Sequence, residues 1–132
     1  MPFNMHTNDL YMGWEPISES GIWDLILAAE ARMEPPEAKL WECVRIPPQR
    51  WHEPTYGQIG GGFWAVGVIG RTVIWYNDIE DGFNQSNYTD FGTIGEYWCN
   101  QDELEHALIS LRYRIESGLT NARACPPVSV RL

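Results

Sequence analysis

The sequence predicts a single α+β domain over residues 1–132, and three observations carry that prediction. Two β-rich runs meet at Gly70-Arg71, and apolar residues recur at helical spacing on either side of them, before Pro35 and again between about Gln101 and Glu116. The expected architecture is an antiparallel sheet of about four strands centred on the 63–77 hairpin, with two helices packed chiefly on one face. A chain of this length buries about two-thirds of the surface that its unfolded form exposes. Hydrophobic residues at 44%, seven of them Trp, supply what such a core needs.

Residues 4–17 are polar, are broken by Gly13 and Pro16, and read as an irregular lead pinned by Trp14. Ser18 or Ser20 caps the first helix. Ile22, Ile26, Ala29 and Met33 form its inward face, which Trp23 and Leu27 widen. Pro35-Pro36 ends it, because proline lacks an amide hydrogen and pushes its predecessor out of helical geometry. Lys39 to Ile46 reads as a strand. Pro47 to Gly62, with three prolines and four glycines, reads as a loop anchored by Trp51, in which Gly60-Gly61-Gly62 forms a flexible approach to the next strand.

Phe63 to Asn77 is the clearest signal. Glycine at the first loop position suits a type II′ turn, which pairs Val68 with Val73 and Val66 with Trp75. The first strand is apolar on both faces, which places it centrally in the sheet. Asp78 to Trp98 follows as a long acidic and aromatic loop with a short strand near Thr93 to Trp98. A second helix runs from about Gln101 to Glu116, with Asn100 as N-cap, Glu103 at the reciprocal capping-box position, and Leu104, Ala107, Leu108, Leu111 and Ile115 facing inward. Gly118 closes it. Val128-Ser129-Val130 alternates as an edge strand would.

Charge is placed, not spread. Between Arg71 and Arg112 there is no Lys or Arg, yet eight carboxylates stand there, so this segment carries −8 of the net −9. They are Asp78, Glu80, Asp81, Asp90, Glu96, Asp102, Glu103 and Glu105. A field of that sign argues against nucleic acid or an anionic membrane as partner and suits a basic protein. Three cysteines without CxxC spacing argue for free thiols in a reducing compartment. With no secretory pattern at Met1 to Leu10 and no apolar run long enough to span a bilayer, a cytoplasmic location is expected.

No catalytic or cofactor motif stands out. The turn from Asn77 fails as an EF-hand, since Ile79 and Tyr88 fall where calcium requires oxygen ligands. Cys99 precedes a helix whose field could activate a thiol, but His106 sits about 10 Å further along by helical rise, so packing against Leu104 is the better reading. His52-Glu53 is isolated, and no two histidines share metal-ligand spacing. No cofactor, metal site or catalytic residue is therefore expected. Trp23, Trp64, Trp75 and Tyr113 read as core, whereas Phe83, Tyr88, Phe91 and Trp98 fall in or beside loops among the acids, the composition of a protein-binding surface.

The expectation is a non-catalytic protein-binding domain whose contact residues are Asp78, Glu80, Asp81, Phe83, Tyr88, Asp90, Phe91, Glu96 and Trp98. Its most concrete form is a small bacterial immunity-type inhibitor that covers the positively charged site of a toxin enzyme. The alternatives are a small enzyme or ligand-binding domain with a pocket between sheet and helices, and a structural subunit of a homo-oligomer.

Overall fold

Ser18 starts the first helix as expected, its Oγ accepting the Gly21 N–H at 3.1 Å. In the computed structural model, which describes residues 15–119 and 123–125, this helix, α1, spans Glu19–Arg32. Trp14, His6 and the strand expected at Val128–Val130 lie outside the described residues. Ile22, Ile26 and Ala29 are buried, but Trp23 and Leu27 are 39% and 58% exposed, so the buried stripe of α1 is narrower than its sequence suggests.

Pro35 and Pro36 end α1 and also begin another helix. They occupy the first two positions of α2, Pro35–Val44, where a missing amide hydrogen costs nothing because those donors have no partner within the helix. The strand expected at Lys39 to Ile46 is therefore helical for most of its length, with Glu37, Trp41 and Val44 buried at helical spacing. The chain then turns into β1, Arg45–Trp51, which takes in the last two residues of that expected strand and runs on into the stretch expected to be loop. Pro47 and Pro48 are tolerated because β1 is an edge strand, and a register shift between Arg45 and Gln49 interrupts its ladder.

The hairpin forms as read. Strand β2, Phe63–Ile69, pairs antiparallel with β3, Thr72–Asn77, across Gly70-Arg71. Gly70 has φ +56° and Arg71 has no positive φ, as a type II′ turn requires. Val68 faces Val73, but a shift between Ala65 and Gly67 makes Ala65, not Val66, the partner of Trp75. The expected long loop contains the fourth strand, β4, Gly82–Asn87. The order β1-β2-β3-β4 is a simple antiparallel meander with β2 and β3 inside.

Helix α3 spans Leu104–Ser117, starting later than expected, with Glu103 at the N-cap position and no side-chain cap. Asn100 is occupied elsewhere: its Oδ1 accepts the Ala124 N–H. Gly118 ends the helix in the left-handed region, φ +77°. Leu104, Ala107, Leu108 and Leu111 are buried, while Ile115 is exposed.

Among the described residues three helices, not two, pack against the sheet. Side chains from α1, α2 and α3 meet Trp64, Val66, Ile74, Tyr76 and Phe83 in one core. The opposite face buries Trp51, Phe63, Ala65, Val73 and Trp75 beneath Ile94 and the half-buried Tyr56, Tyr88 and Tyr97. Trp64 and Trp75 are thus core residues, whereas Trp23 and Tyr113 are well exposed. Glycine 62 is a tight contact, not a flexible approach: at φ +98° it leaves only 2.3 Å between a built Cβ and the Trp51 carbonyl oxygen.

Candidate functional site

Residues 95–102 follow the outer edge of β4 and govern how the acidic segment is displayed. The Gly95 N–H donates to the Asn87 carbonyl and the Phe83 N–H to the Asp102 carbonyl, one contact at each end. Between them Ser86 Oγ donates to the Glu96 carbonyl and the Asn100 N–H donates to Asn84 Oδ1. An edge that would otherwise expose backbone groups is covered by the chain itself.

At one end lies the β3–β4 turn, which is held firmly. Asn77 Oδ1 accepts the N–H groups of Ile79 and Glu80, and its Nδ2 donates to the Tyr97 hydroxyl and the Trp98 carbonyl. Asp81 adopts φ +55°. Asp78 does not join the surface: it is buried, and its Oδ2 accepts the Ile17 N–H at 2.8 Å. Burial pushes its carboxyl up from the usual range, partly opposed by that hydrogen bond. Glu80 is half-buried and Asp81 exposed. The Tyr76 phenol is pushed up to about 12, by burial first and then by Asp81, Asp78 and Glu103 nearby. Asp102 joins this end through its bridge to Phe83.

Phe83 is a core residue, not a loop anchor. It is buried in β4, its ring centroid 4.8 Å from that of Tyr76, because the strand turns it towards the helices. At the other end of β4, Tyr88 donates its hydroxyl to the Gly70 carbonyl, and its ring meets Trp51 edge-on. Phe91 also packs an edge on Trp51 while remaining 65% exposed, and Asp90 is exposed beside it. Glu96 accepts the Asn87 N–H and pairs with Arg123. Trp98 is half-buried under the Arg123 guanidinium.

The nine expected contact residues therefore do not form one patch. The six residues of β4 separate the group at Glu80 and Asp81 from the group at Tyr88, Asp90 and Phe91 by about 17–20 Å. Arginines from outside the acidic segment neutralise part of it: Arg32 pairs with Glu103 and Glu105, and Arg123 with Glu96. Glu80, Asp81, Asp90 and Asp102 make no ion pair among the described residues. Asp102 was not expected at the site; its signal would have been a pairing between Phe83 and Asp102 that no local pattern reveals.

The expected chemical non-participants sit as follows. The helix begins at Leu104, so its field is not centred on Cys99, whose thiol is pushed up by burial and then by Glu80. Glu53 is buried, with Oε1 accepting the N–H groups of Thr55, Tyr56 and Gly57, which fixes the loop after β1. His52 is exposed. Among the described residues no group of three or more His, Cys, Asp or Glu converges as a metal site, and no helix is long and apolar enough to cross a membrane.

A groove of about 370 Å³ that sequence reading did not reveal lies between α1, α2 and β1, lined by Trp23, Ile26, Glu30, Trp41, Arg45 and Ile46 among others. Glu30 Oε2 accepts both the Trp41 indole N–H at 2.7 Å and an Arg45 N–H at 3.2 Å. Its residues had read as helix core and strand, so nothing in their spacing marked a concavity.

No protein-family model matches the chain, and neither a curated protein nor a solved structure matches it. Function is accordingly read from residues and geometry alone.

Proposed function

We propose that this chain is a non-catalytic binding domain that engages a basic protein, most concretely an immunity-type inhibitor that covers the positively charged site of a toxin enzyme. The observation that carries the reading is the set of Glu80, Asp81 and Asp102, which share one end of the sheet and make no ion pair among the described residues. The Asn77 bonds to the turn support it, since a fixed scaffold lowers the ordering cost of association. Asp90 and Phe91, at the far end, form a separate and smaller contact.

Charges of this kind act chiefly on the rate of encounter and its salt dependence. The test is to isolate the basic protein that co-purifies at low salt, assay whether this chain inhibits its activity, and measure association for the native protein and an E80Q/D81N/D102N variant across a salt series. The variant is expected to associate more slowly and with a flatter salt dependence. Equal rates and equal slopes would overturn the acidic interface.

The α1–α2–β1 groove favours a second reading, a ligand-binding domain. Its volume of about 370 Å³ falls in the range of small-molecule sites, and two indoles with one charged pair match their usual lining. A small molecule released in stoichiometric amount on denaturing the purified protein would support it; a clean extract would remove it.

A further inference from the structure

A second, polar cavity of about 20 Å³ lies between β4, α3 and the 123–125 segment. Trp98, Arg114, Arg123, Gln85, Asn100 and Asp102 are among its lining residues. Two features are unusual. The Trp98 indole N–H is buried without any hydrogen-bond partner, a state that is rare in a native protein. Arg114, half-buried in the same wall, makes one side-chain hydrogen bond, to Thr72 Oγ1 at 2.9 Å, and no ion pair among the described residues.

Arg114 is the cation of this wall that no carboxylate contacts among the described residues. Burial first and then the neighbouring Arg123 charge pull Arg114 below the ordinary arginine range, opposed by Glu96. That carboxylate is already engaged by Arg123 at 3.4 Å and by the Asn87 N–H at 3.0 Å. Asp102, on another wall, accepts from Asn100 Nδ2. A water in the cavity would satisfy the indole but leave the half-buried Arg114 without an ion-pair partner among the described residues.

We propose that this cavity binds one small monovalent anion of chloride size, held by the Trp98 indole N–H and the Arg114 and Arg123 guanidinium groups. The room is that of about one water-sized ligand, which excludes sulfate or phosphate from its interior. The bound anion links helix α3, through Arg114, to the 123–125 segment and the strip along the β4 edge, which Asn100–Ala124 and Glu96–Arg123 contacts already join. Anion binding thus stabilises the cover over that edge. It draws on neither Glu80 nor Asp81, although Asp102 of the acidic interface lines its wall.

The experiment compares thermal unfolding in sodium chloride and in sodium gluconate at equal ionic strength, the gluconate ion being too large for the cavity. Chloride is expected to raise Tm saturably by about 3 °C relative to gluconate. Trp98→Phe, which keeps the ring and removes the donor, and Arg114→Gln are each expected to abolish the difference. Crystals grown with bromide are expected to show one anomalous peak between Trp98 and Arg114. Identical melting in the two salts, or a bromide-grown crystal with only a water in the cavity, would overturn the proposal, and neither result depends on the variants folding.

Discussion

Gly82 lies so close to Asn100 that a Cβ built on it would fall 2.1 Å from the Asn100 carbonyl oxygen. Gly95 stands in the same relation to Asn87 at the opposite end of the strip, 2.5 Å from its carbonyl oxygen. The strip along β4 is therefore laid down by backbone contact at two glycines, with side-chain bonds between them. Gly82→Ala is expected to destabilise the domain by about 1–3 kcal/mol, because the atom that must yield is backbone. Denaturant unfolding measures it; an unchanged midpoint would mean that the strip is not seated as described.

Phe83→Ala is expected to lower stability by about 3–5 kcal/mol, as for a fully buried aromatic residue. Phe91→Ala, at a ring 65% exposed, is expected to stay within about 1 kcal/mol of the native protein. The pair separates a core role from a surface role, and comparable losses at both sites would refute the burial difference.

Glu105 gives an acid-side dependence. Its hydrogen bond and charge interaction with Arg32 hold its carboxyl below the usual glutamate value of 4.5. A depressed folded-state value means that the unfolded chain binds the proton more readily, so the stabilisation is present above about pH 4.5 and is lost as pH falls through the lower folded value. Glu105→Gln is expected to melt below the native protein at pH 7, with the gap closing at pH 3. A gap that persists at pH 3 would assign the loss to packing alone.

Tyr76 and Tyr97 give the alkaline side. Both phenols are pushed up to about 12, burial being the main cause for each. Their folded values lie above the unfolded value of 10, so the folded state holds these protons longer and stability falls as pH rises from 10 towards 12. Tyr76→Phe is expected to flatten that decline. Absorbance titration of the native and Tyr76→Phe proteins should differ by one tyrosine that ionises late; a difference that titrates near pH 10 while the protein is folded would mean that the burial of Tyr76 is wrong.

What the sequence made legible depended on whether an element's partners were local. The hairpin was readable because the Gly70-Arg71 turn and the flanking β-rich runs specify it within fifteen residues. Strand β4 was not, since Asn84, Gln85 and Ser86 look like loop residues until Asn100, the Ala107 carbonyl and Trp75 supply their hydrogen bonds. Helix α2 was misread because proline signals both a helix end and a helix start. For the site, the concentration of charge was visible in composition. Its division between two ends of β4, and the inward turn of Asp78 and Phe83, depend on a strand that the composition concealed.

The meander also sets an order of events for a chain made from its N-terminus. Strands β1 to β4 pair only with neighbours in sequence, so the whole sheet can form from the continuous stretch 45–87. Its helix-side face cannot close at that point, because Leu104, Ala107, Leu108 and Leu111 complete the core and Glu105 and Arg112 reach back across more than 70 residues to Arg32 and Glu37. Until α3 has left the ribosome, Trp64, Val66 and Ile74 present an incompletely covered apolar surface. That face thus stays open to aggregation during the synthesis of a segment that carries no part of the sheet.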